Sequence, residues 1–231
     1  MNIELSAPQD TFKVFSSLPC FGGLESSILK RLANEAALHC YEPEQIVLLD
    51  SEPSVGLFIV QSGWLKGFKH TLSGREQVIQ FIGPGEVFNE IGVLSEGENP
   101  MTVEALEPCK VWIIPHQTLL CLIETYPSFC FLIAQNLARQ ARQLVNLVED
   151  LSLRSVEGRM AHLLLNQSRG GAIIRQQWFT QAEMASQLGT VQGGANRILH
   201  AFMDQGYIRI DRHCIYILND QELKRIASLA E

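Results

Sequence analysis

The spacing of apolar residues changes along the chain, and each spacing predicts a different kind of element. Between residues 20 and 40 an apolar side chain recurs at every fourth position, which predicts a helix. From residue 41 to residue 115 the chain consists of short β-type runs separated by turn residues. The predicted strands are 46–49, 56–60, 64–68, 77–82, 103–106 and 111–114, with a hairpin tip at 71–74. Strands of this length at such close spacing favour a sandwich, roll or barrel.

A long helical pattern follows the β-type runs. Pro127 is compatible with a first helical turn, and nothing from there to about residue 152 breaks the helix. Apolar residues repeat at spacings of four and three, which is the heptad spacing of a coiled coil. The members of this seam are Leu137, Ala141, Leu144, Val148 and Leu151. A second apolar stripe on one helix points to a parallel partner helix and a homodimer; the alternative is a helix buried along its own domain.

The last eighty residues alternate helices with turns and end in two strands. Thr180, followed three residues later by Glu183, forms a capping box that opens a short helix reaching to about Leu188. Gly189 makes the turn into the next helix. The other predicted elements are helices over 156–166 and 190–204 and strands over 207–210 and 214–218. Helix, glycine-containing turn, helix and hairpin form the winged helix-turn-helix arrangement.

Composition limits the class of protein. A chain of 231 residues with 46% hydrophobic and 19% charged residues is typical of a soluble protein of one large or two ordinary domains. No apolar run approaches the ~20 residues of a membrane helix, and the first residues lack a secretory signal, so we expect a cytoplasmic protein without a membrane partner. Six scattered cysteines without a C-x-x-C pair argue against an iron–sulfur cluster. No nucleophile–base pair, metal-ligand cluster or Walker loop is present, which argues against an enzyme.

Charge is distributed unevenly between the two parts of the chain. The net charge is −7, but residues 151–231 hold nine Lys/Arg against seven Asp/Glu. Residues 1–150 hold the remaining nine basic and eighteen acidic residues. A chain this acidic is not expected to coat nucleic acids without regard to sequence. Its mildly basic C-terminal part still permits local contact with DNA phosphates.

The run from Phe81 to Glu90 is the most informative local pattern. A buried-strand pattern leads into the tight turn Gly83-Pro84-Gly85 and then into a short apolar turn ending in a carboxylate. Glycines before a helical turn leave backbone N–H groups unpaired, which suits an anion such as a phosphate. The alternative is a plain β-turn between two strands.

Together these patterns resemble the Crp–Fnr family of dimeric bacterial transcription regulators over nearly all 231 residues. Each motif is weak alone, but their order is specific. The motifs are GLFIVQSG at 56–63, GREQV at 74–78, GPGEVFNE at 83–90, GRMA at 158–161, FTQAEMASQLG at 179–189, NRIL at 196–199 and GYIR at 206–209. The resemblance implies an α+β fold with an effector-sensing, cyclic-nucleotide-binding-like β-roll (1–125), a dimerisation helix (126–153) and a winged helix-turn-helix (154–231). It further implies an effector-responsive homodimer that binds palindromic operators in double-stranded DNA, with RNA polymerase as another partner.

The resemblance also implies an effector pocket, but one that departs from the family's cyclic-AMP receptors. Its members here are Gly85, Glu86, Val87, Phe88, Asn89, Glu90, Pro100, Met101, Thr102, Leu144 and Val145. Glu90 matches the family's ribose-binding Glu, whereas Pro100 replaces the phosphate-binding Arg and Met101 replaces a Ser. The adenine-reading Thr-Ser pair falls on Leu144-Val145. A missing guanidinium removes charge-assisted bonds of roughly 1.5–3 kcal/mol, so we do not expect cyclic AMP to bind.

The effector itself stays open. An apolar pocket suits haem with a His or Cys axial ligand, and the histidines of the β-rich part are His39, His70 and His116. Such histidines are more often surface or hydrogen-bonded residues. Another organic effector, or none, is equally compatible with the sequence, and no metal site is predicted.

The implied DNA-reading helix departs from the family pattern as well. The expected DNA-binding residues are Thr180, Gln181, Gln192, Asn196 and Arg197. Gln192 stands where the family has its guanine-reading Arg, and glutamine favours adenine. Gly193 and Gly194 cost ~1 kcal/mol each in a helix relative to Ala. They indicate either a close approach of the backbone to DNA or a weakened reader; in the second case the protein is a sensor or interaction protein of the same fold.

Overall fold

The computed structural model describes residues 2–4, 8–72, 74–95 and 97–228. The chain divides into two compact units: Met1–Lys69 with Gln80–Arg142, and His70–Ile79 with Gln143–Glu231. The division falls inside the long helix, and the hairpin residues 70–79 belong to the second unit. The predicted domain limits 1–125, 126–153 and 154–231 therefore stay a prediction.

Two sheets form the β-rich part of the chain, as the short β-type runs predict. The strands are β1 (Asn2–Glu4), β2 (Ala37–Tyr41), β3 (Ile46–Leu48), β4 (Gly56–Ser62), β5 (Leu65–His70), β6 (Glu76–Ile82), β7 (Val87–Phe88), β8 (Thr102–Ala105) and β9 (Cys109–Pro115). One sheet has the order β1-β2-β9-β4-β7 and the other β3-β8-β5-β6. The core between them contains Phe58 and Phe88, whose rings stack with centroids 5.1 Å apart. At the predicted hairpin tip Gly74 has a φ of +81°, while Ser73 lies outside the described residues.

Helices cover one side of this β-rich part around a second apolar core. They are α1 (Pro8–Ser17), a 3₁₀ turn (Pro19–Phe21), α2 (Ser26–Glu35), α3 (Glu90–Leu94), α4 (His116–Thr125) and the start of α5 (Pro127–Leu153). The prediction of one helix over 20–40 is wrong at both ends. Ala36 leaves the helical region with ψ of 137°, and the following residues form β2, because Leu38 and Tyr41 are buried where β2 pairs with β9. The apolar spacing alone does not show that partner strand.

Helix α5 begins at Pro127 and runs for 27 residues, close to the predicted span. At 1.5 Å per residue it is about 40 Å long. Within the described ranges no single helix is long and apolar enough to cross a membrane. Among the described helices, α4 and α5 reach that length and apolarity as a pair, with a bend of 115° between them.

The second unit contains the predicted order of helix, turn, helix and hairpin. Its elements after α5 are α6 (Val156–Gln167), β10 (Ala172–Ile174), α7 (Gln181–Gln187), α8 (Gln192–Asp204), β11 (Ile208–Ile210), β12 (Cys214–Ile217) and α9 (Asp220–Ala227). Strands β10, β12 and β11 form a sheet in that order, and α9 packs on α6. The pattern did not reveal β10 or α9. Strand β10 has only three residues, and it needs β12 as its partner.

Candidate effector and DNA-binding sites

Glu90, the residue matched to the family's ribose-binding Glu, is completely buried at the start of α3. Its carboxylate accepts hydrogen bonds from two side-chain amides of α5. Asn136 Nδ2 lies 2.5 Å from Oε1, and Gln140 Nε2 lies 2.8 Å from Oε2. Charged hydrogen bonds of this kind compensate the cost of burying a carboxylate. The chain's own helix therefore binds the group that would receive a ribose hydroxyl.

A cation and a thiol lie beside this carboxylate. The guanidinium of Arg139 donates a hydrogen bond to Oδ1 of Asn136, and Asn136 is only 9% exposed. Burial raises the pKa of the Cys20 thiol to about 12; the charge of Arg139 opposes this rise, and that of Glu90 adds to it. Cys20 is therefore protonated at neutral pH. Hydrogen bonds thus join the Glu90 carboxylate to the two amides and, through Asn136, to the Arg139 guanidinium.

The glycine turn before Glu90 is also bonded within the chain. Gly85 N donates to Val60 O at 2.8 Å, Glu86 N to Gly83 O at 3.1 Å, and Gly83 N to the Glu86 carboxylate at 2.7 Å. The prediction of unpaired N–H groups is therefore wrong for these three residues, because the turn folds back on β4 and on its own Glu86. These hydrogen bonds show how the turn is closed, and its role in an effector pocket stays a prediction.

The next three residues hold the roll together. Val87 and Phe88 are buried, and Phe88 belongs to the core between the sheets. Asn89 adopts a left-handed conformation with φ of 73° and is 5% exposed. Its Nδ2 lies within hydrogen-bond distance of Ser54 Oγ (2.9 Å), Gly56 O (3.1 Å) and Asn99 Oδ1 (3.2 Å). The side chains of these three residues therefore pack or form hydrogen bonds within the roll.

Residues 100–102 do not supply the missing cation. Met101 packs against the roll core, and a Cβ added to Gly67 would lie 2.6 Å from its Sδ. Thr102 is buried, and its Oγ1 accepts from Asp50 N at 3.2 Å. Pro100 carries no charge. These three residues therefore offer a cyclic phosphate no cationic side chain, and the expectation about cyclic AMP stays a prediction.

The histidines lie on separate elements. His39, on β2, is 7% exposed; burial lowers its pKa, and its Nδ1 has no hydrogen-bond partner in the part of the chain that is described. His116 begins α4, and His70 ends β5. Burial raises the pKa of the Cys109 thiol to about 11, which disfavours a thiolate ligand. Within the described ranges no group of three or more His, Cys, Asp or Glu side chains could hold a metal ion.

Helix α5 presents an exposed apolar stripe with strict heptad spacing. Its members, at spacings of three and four, are Phe131, Ala134, Ala138, Ala141, Val145 and Val148, all of them exposed. The predicted seam overlaps this stripe at Ala141 and Val148. Leu144 and Leu151 are exposed beside it, 41% and 37%, whereas Leu137 packs against the core of its own unit. Leu144 and Val145, the expected adenine-facing pair, therefore lie on the exposed side of α5.

Helix α8 has one buried and one exposed face. Ala195, Leu199 and Phe202 are buried, so Gln192, Gly193 and Arg197 lie on the outer face. Arg197 folds back along its own helix, with Nε 3.3 Å from Gly193 O. Asn196 is half-buried, and its Oδ1 is enclosed without a hydrogen-bond partner among the described residues. Of the three predicted side chains on α8, Gln192 and Arg197 lie on the exposed face.

The start of α7 and the hairpin enclose a basic depression of about 500 Å³. Thr180 caps α7, accepting from Glu183 N at 3.2 Å, which confirms the predicted N-cap. The lining includes the predicted Thr180, Gln181 and Gln192 and three residues that the sequence reasoning missed, Arg175, Arg212 and His213. Asp211 shapes the hairpin turn by accepting from His213 N (2.8 Å) and Cys214 N (2.7 Å), and these bonds hold its pKa below the ordinary value. A basic cavity beside an exposed helix suits a phosphate backbone.

Two known domain families match the chain, one over the β-rich part and one over the helix-turn-helix part. Residues 38–126 match the cyclic nucleotide-binding domain, and residues 158–226 match the Crp-like helix-turn-helix domain. The chain belongs to the Crp–Fnr family of transcription regulators. Members of this family are DNA-binding regulators and not enzymes, and they act as dimers.

Known Crp–Fnr proteins resemble the chain along most of its length. The cyclic AMP receptor protein of Thermus thermophilus is 27% identical, over 90% of this chain and 96% of that protein. The transcriptional activator protein anr of Pseudomonas aeruginosa is 28% identical, over 79% of this chain and 77% of that protein. The structure of FixK2 from Bradyrhizobium japonicum has a TM-score of 0.74 at 20% identity, covering 85% of this chain and 99% of FixK2, which shows the fold alone.

Proposed function

We propose that this Crp–Fnr regulator acts as a homodimer on palindromic operators and that its effector is not cyclic AMP. Helix α8 reads the major groove through Gln192 and Arg197. The protein's partner at the promoter is RNA polymerase. The protein operates in the cytoplasm. Its effector, where one exists, is a small molecule that does not need the phosphate and ribose contacts of a cyclic nucleotide.

The buried Glu90 carboxylate is the observation that carries the effector proposal. Its two oxygens already accept from Asn136 and Gln140 at 2.5 and 2.8 Å. A ribose would have to displace these amides from a fully buried site, and the phosphate would find Pro100 where a guanidinium is needed. Each lost charge-assisted bond weakens binding by roughly tenfold or more.

The exposed α5 stripe supports the dimer. Val145 and Val148 are 64% and 62% exposed, and Phe131 is 65% exposed. A continuous apolar stripe on a soluble protein marks an interaction surface. Three alanines at its centre permit a close approach of two helices, near the lower end of the usual 8–10 Å interaxial distance. Because the heptad spacing is regular, a second copy of the same helix is the matching partner.

The effector and operator are tested with the full-length protein. Calorimetry with cyclic AMP should show no saturation at micromolar ligand, and selection from random duplexes without ligand or with cell extract should enrich a palindrome. Micromolar affinity for cyclic AMP would overturn the effector proposal. Failure to enrich any palindrome under all conditions would overturn the operator proposal and favour a sensor with decayed DNA reading.

The dimer is tested by sedimentation velocity on two matched variants. Val145→Glu buries an unpaired charge in the proposed interface, which costs several kcal/mol, and should yield monomer. Asn146→Glu places the same charge at the next exposed position, off the stripe, and should stay dimeric. A dimeric Val145→Glu protein would show that the interface lies elsewhere.

A further inference from the structure

The turn between α7 and α8 is held by side-chain donors on three successive carbonyls. Gln187 O accepts from Gln77 Nε2 at 3.2 Å, Leu188 O from Arg159 Nε at 2.9 Å, and Gly189 O from Arg75 Nη2 at 2.6 Å. The last carbonyls of a helix lack partners within the helix and carry partial negative charge, so cationic donors stabilise them. This helix end lies directly before α8.

Arg75 and Gln77 come from the β5–β6 hairpin, far from α7 in sequence. Thr71 closes the hairpin tip: its N donates to Arg75 O at 2.9 Å, and its Oγ1 accepts from Arg75 N at 3.1 Å. These two bonds fix the backbone from which the Arg75 side chain extends. The guanidinium therefore extends from a backbone that is hydrogen-bonded to Thr71.

Gly189 is required at the point where the hairpin meets the turn. Its φ is +63°, and a Cβ there would lie 2.6 Å from Gln77 Oε1. The left-handed conformation favours glycine, and an added Cβ would also force the Gln77 side chain to move. The turn is thus shaped both by its own backbone and by the hairpin side chains.

Two guanidinium groups converge on this turn. Arg159 also donates from Nη1 to Arg154 O at 3.0 Å. Burial lowers the pKa of Arg159; nearby Asp150 raises it, and the charge of Arg75 lowers it further. Like charges at such proximity repel, so the arrangement needs the acceptors of the turn to hold it. That cost points to a specific role for Arg75 beyond solubility.

We infer that Arg75, assisted by Gln77, is a positioning residue for DNA reading. It holds the Gly189 carbonyl and thereby sets the direction in which α8 leaves the turn, without touching DNA itself. The inference rests on the proposed role of α8 as the reading helix. Along the chain, Arg75 immediately precedes β6, Gln77 lies at the start of β6, and the strand leads into the Gly83–Gly85 turn at its other end.

The test compares Arg75→Ala and Arg75→Lys with Arg225→Ala, which removes another exposed arginine from the same unit. Each full-length variant is titrated against the selected operator and against random-sequence DNA at several salt concentrations. Arg75→Ala should lose about tenfold in operator affinity with its affinity for random DNA and its salt dependence unchanged. Arg75→Lys should recover much of the loss, and Arg225→Ala should match wild type. Thermal unfolding of each variant verifies the fold.

Three outcomes would contradict either the positioning role of Arg75 or the proposed function. Equal operator affinity for Arg75→Ala and wild type overturns the positioning role and leaves the proposed function intact. A loss on all DNA, with the slope of log affinity against log salt reduced by about 0.9, shows a direct phosphate contact and also overturns positioning. If wild type binds no operator, the proposed function itself fails.

Discussion

Replacing Gly193 by alanine should make the folded protein more stable and its DNA binding weaker. Gly193 is the second residue of α8, and an added Cβ would have no heavy atom within 4 Å. Its φ lies outside the left-handed region, so alanine fits without strain. Glycine costs up to about 1 kcal/mol relative to alanine inside a helix. For a first-turn position we expect a gain of about 0.5 kcal/mol in the free energy of unfolding.

The effect on DNA binding should have the opposite sign. Nothing in the described fold occupies the space beside Gly193. This leaves room for the close approach of DNA that we propose for this helix. A methyl group extends about 1.5 Å from the backbone and would separate the surfaces by a comparable distance. Loss of one good base contact costs about 1–3 kcal/mol. We therefore expect operator affinity to fall about tenfold or more.

Gly194→Ala is the matched control. Its Cβ would lie 2.9 Å from Thr190 Oγ1, a side-chain atom that must rotate, so its gain in stability should be smaller. Urea unfolding gives the midpoint at constant slope, and fluorescence anisotropy with labelled operator gives the affinity. If Gly193→Ala binds operator as tightly as wild type, the close-approach interpretation is wrong, and the glycine is merely a weakness of the helix.

Three further outcomes follow from particular contacts. Asn136→Leu removes one donor from the buried Glu90 carboxylate and should lower the free energy of unfolding by about 1–3 kcal/mol, measured with urea. Thr118 donates to Glu35 and is the main cause of the lowered pKa of that carboxylate. This hydrogen bond stabilises the folded protein by under about 1 kcal/mol, because the Glu35 side chain is 39% exposed. The stabilisation is present above the ordinary pKa of a glutamate and is lost as the pH falls through the lowered pKa of Glu35. Wild type should therefore exceed Thr118→Val in stability at neutral pH, and the difference should shrink as the pH falls below the ordinary pKa of a glutamate. Gln192→Arg should shift the preference at one position per half-site from adenine to guanine by about 1–3 kcal/mol, read by selection from random duplexes.

Local signals in the sequence were sufficient for much of the architecture. The cap at Thr180 was predictable because an N-cap hydrogen bond joins residues only three positions apart. The span of α5 was predictable because Pro127 permits a start and nothing interrupts the helix. Comparison with the family motifs was likewise enough to show that Pro100 and Gln192 replace arginines of the family pattern.

The state of the effector site depended on contacts between distant parts of the chain. The donors to Glu90 lie 46 and 50 residues away, and their only trace in sequence is a pair of polar residues four apart on α5. Likewise, apolar spacing on α5 left the stripe that includes Leu137 indistinguishable from the one that includes Val145. Only packing shows that Leu137 belongs to the core of its own unit and that Val145 is exposed. Sequence determined the elements through short-range bonds and steric rules, whereas tertiary structure decided which faces are buried and which polar groups are satisfied, because burial and hydrogen-bond partners exist only once distant segments meet.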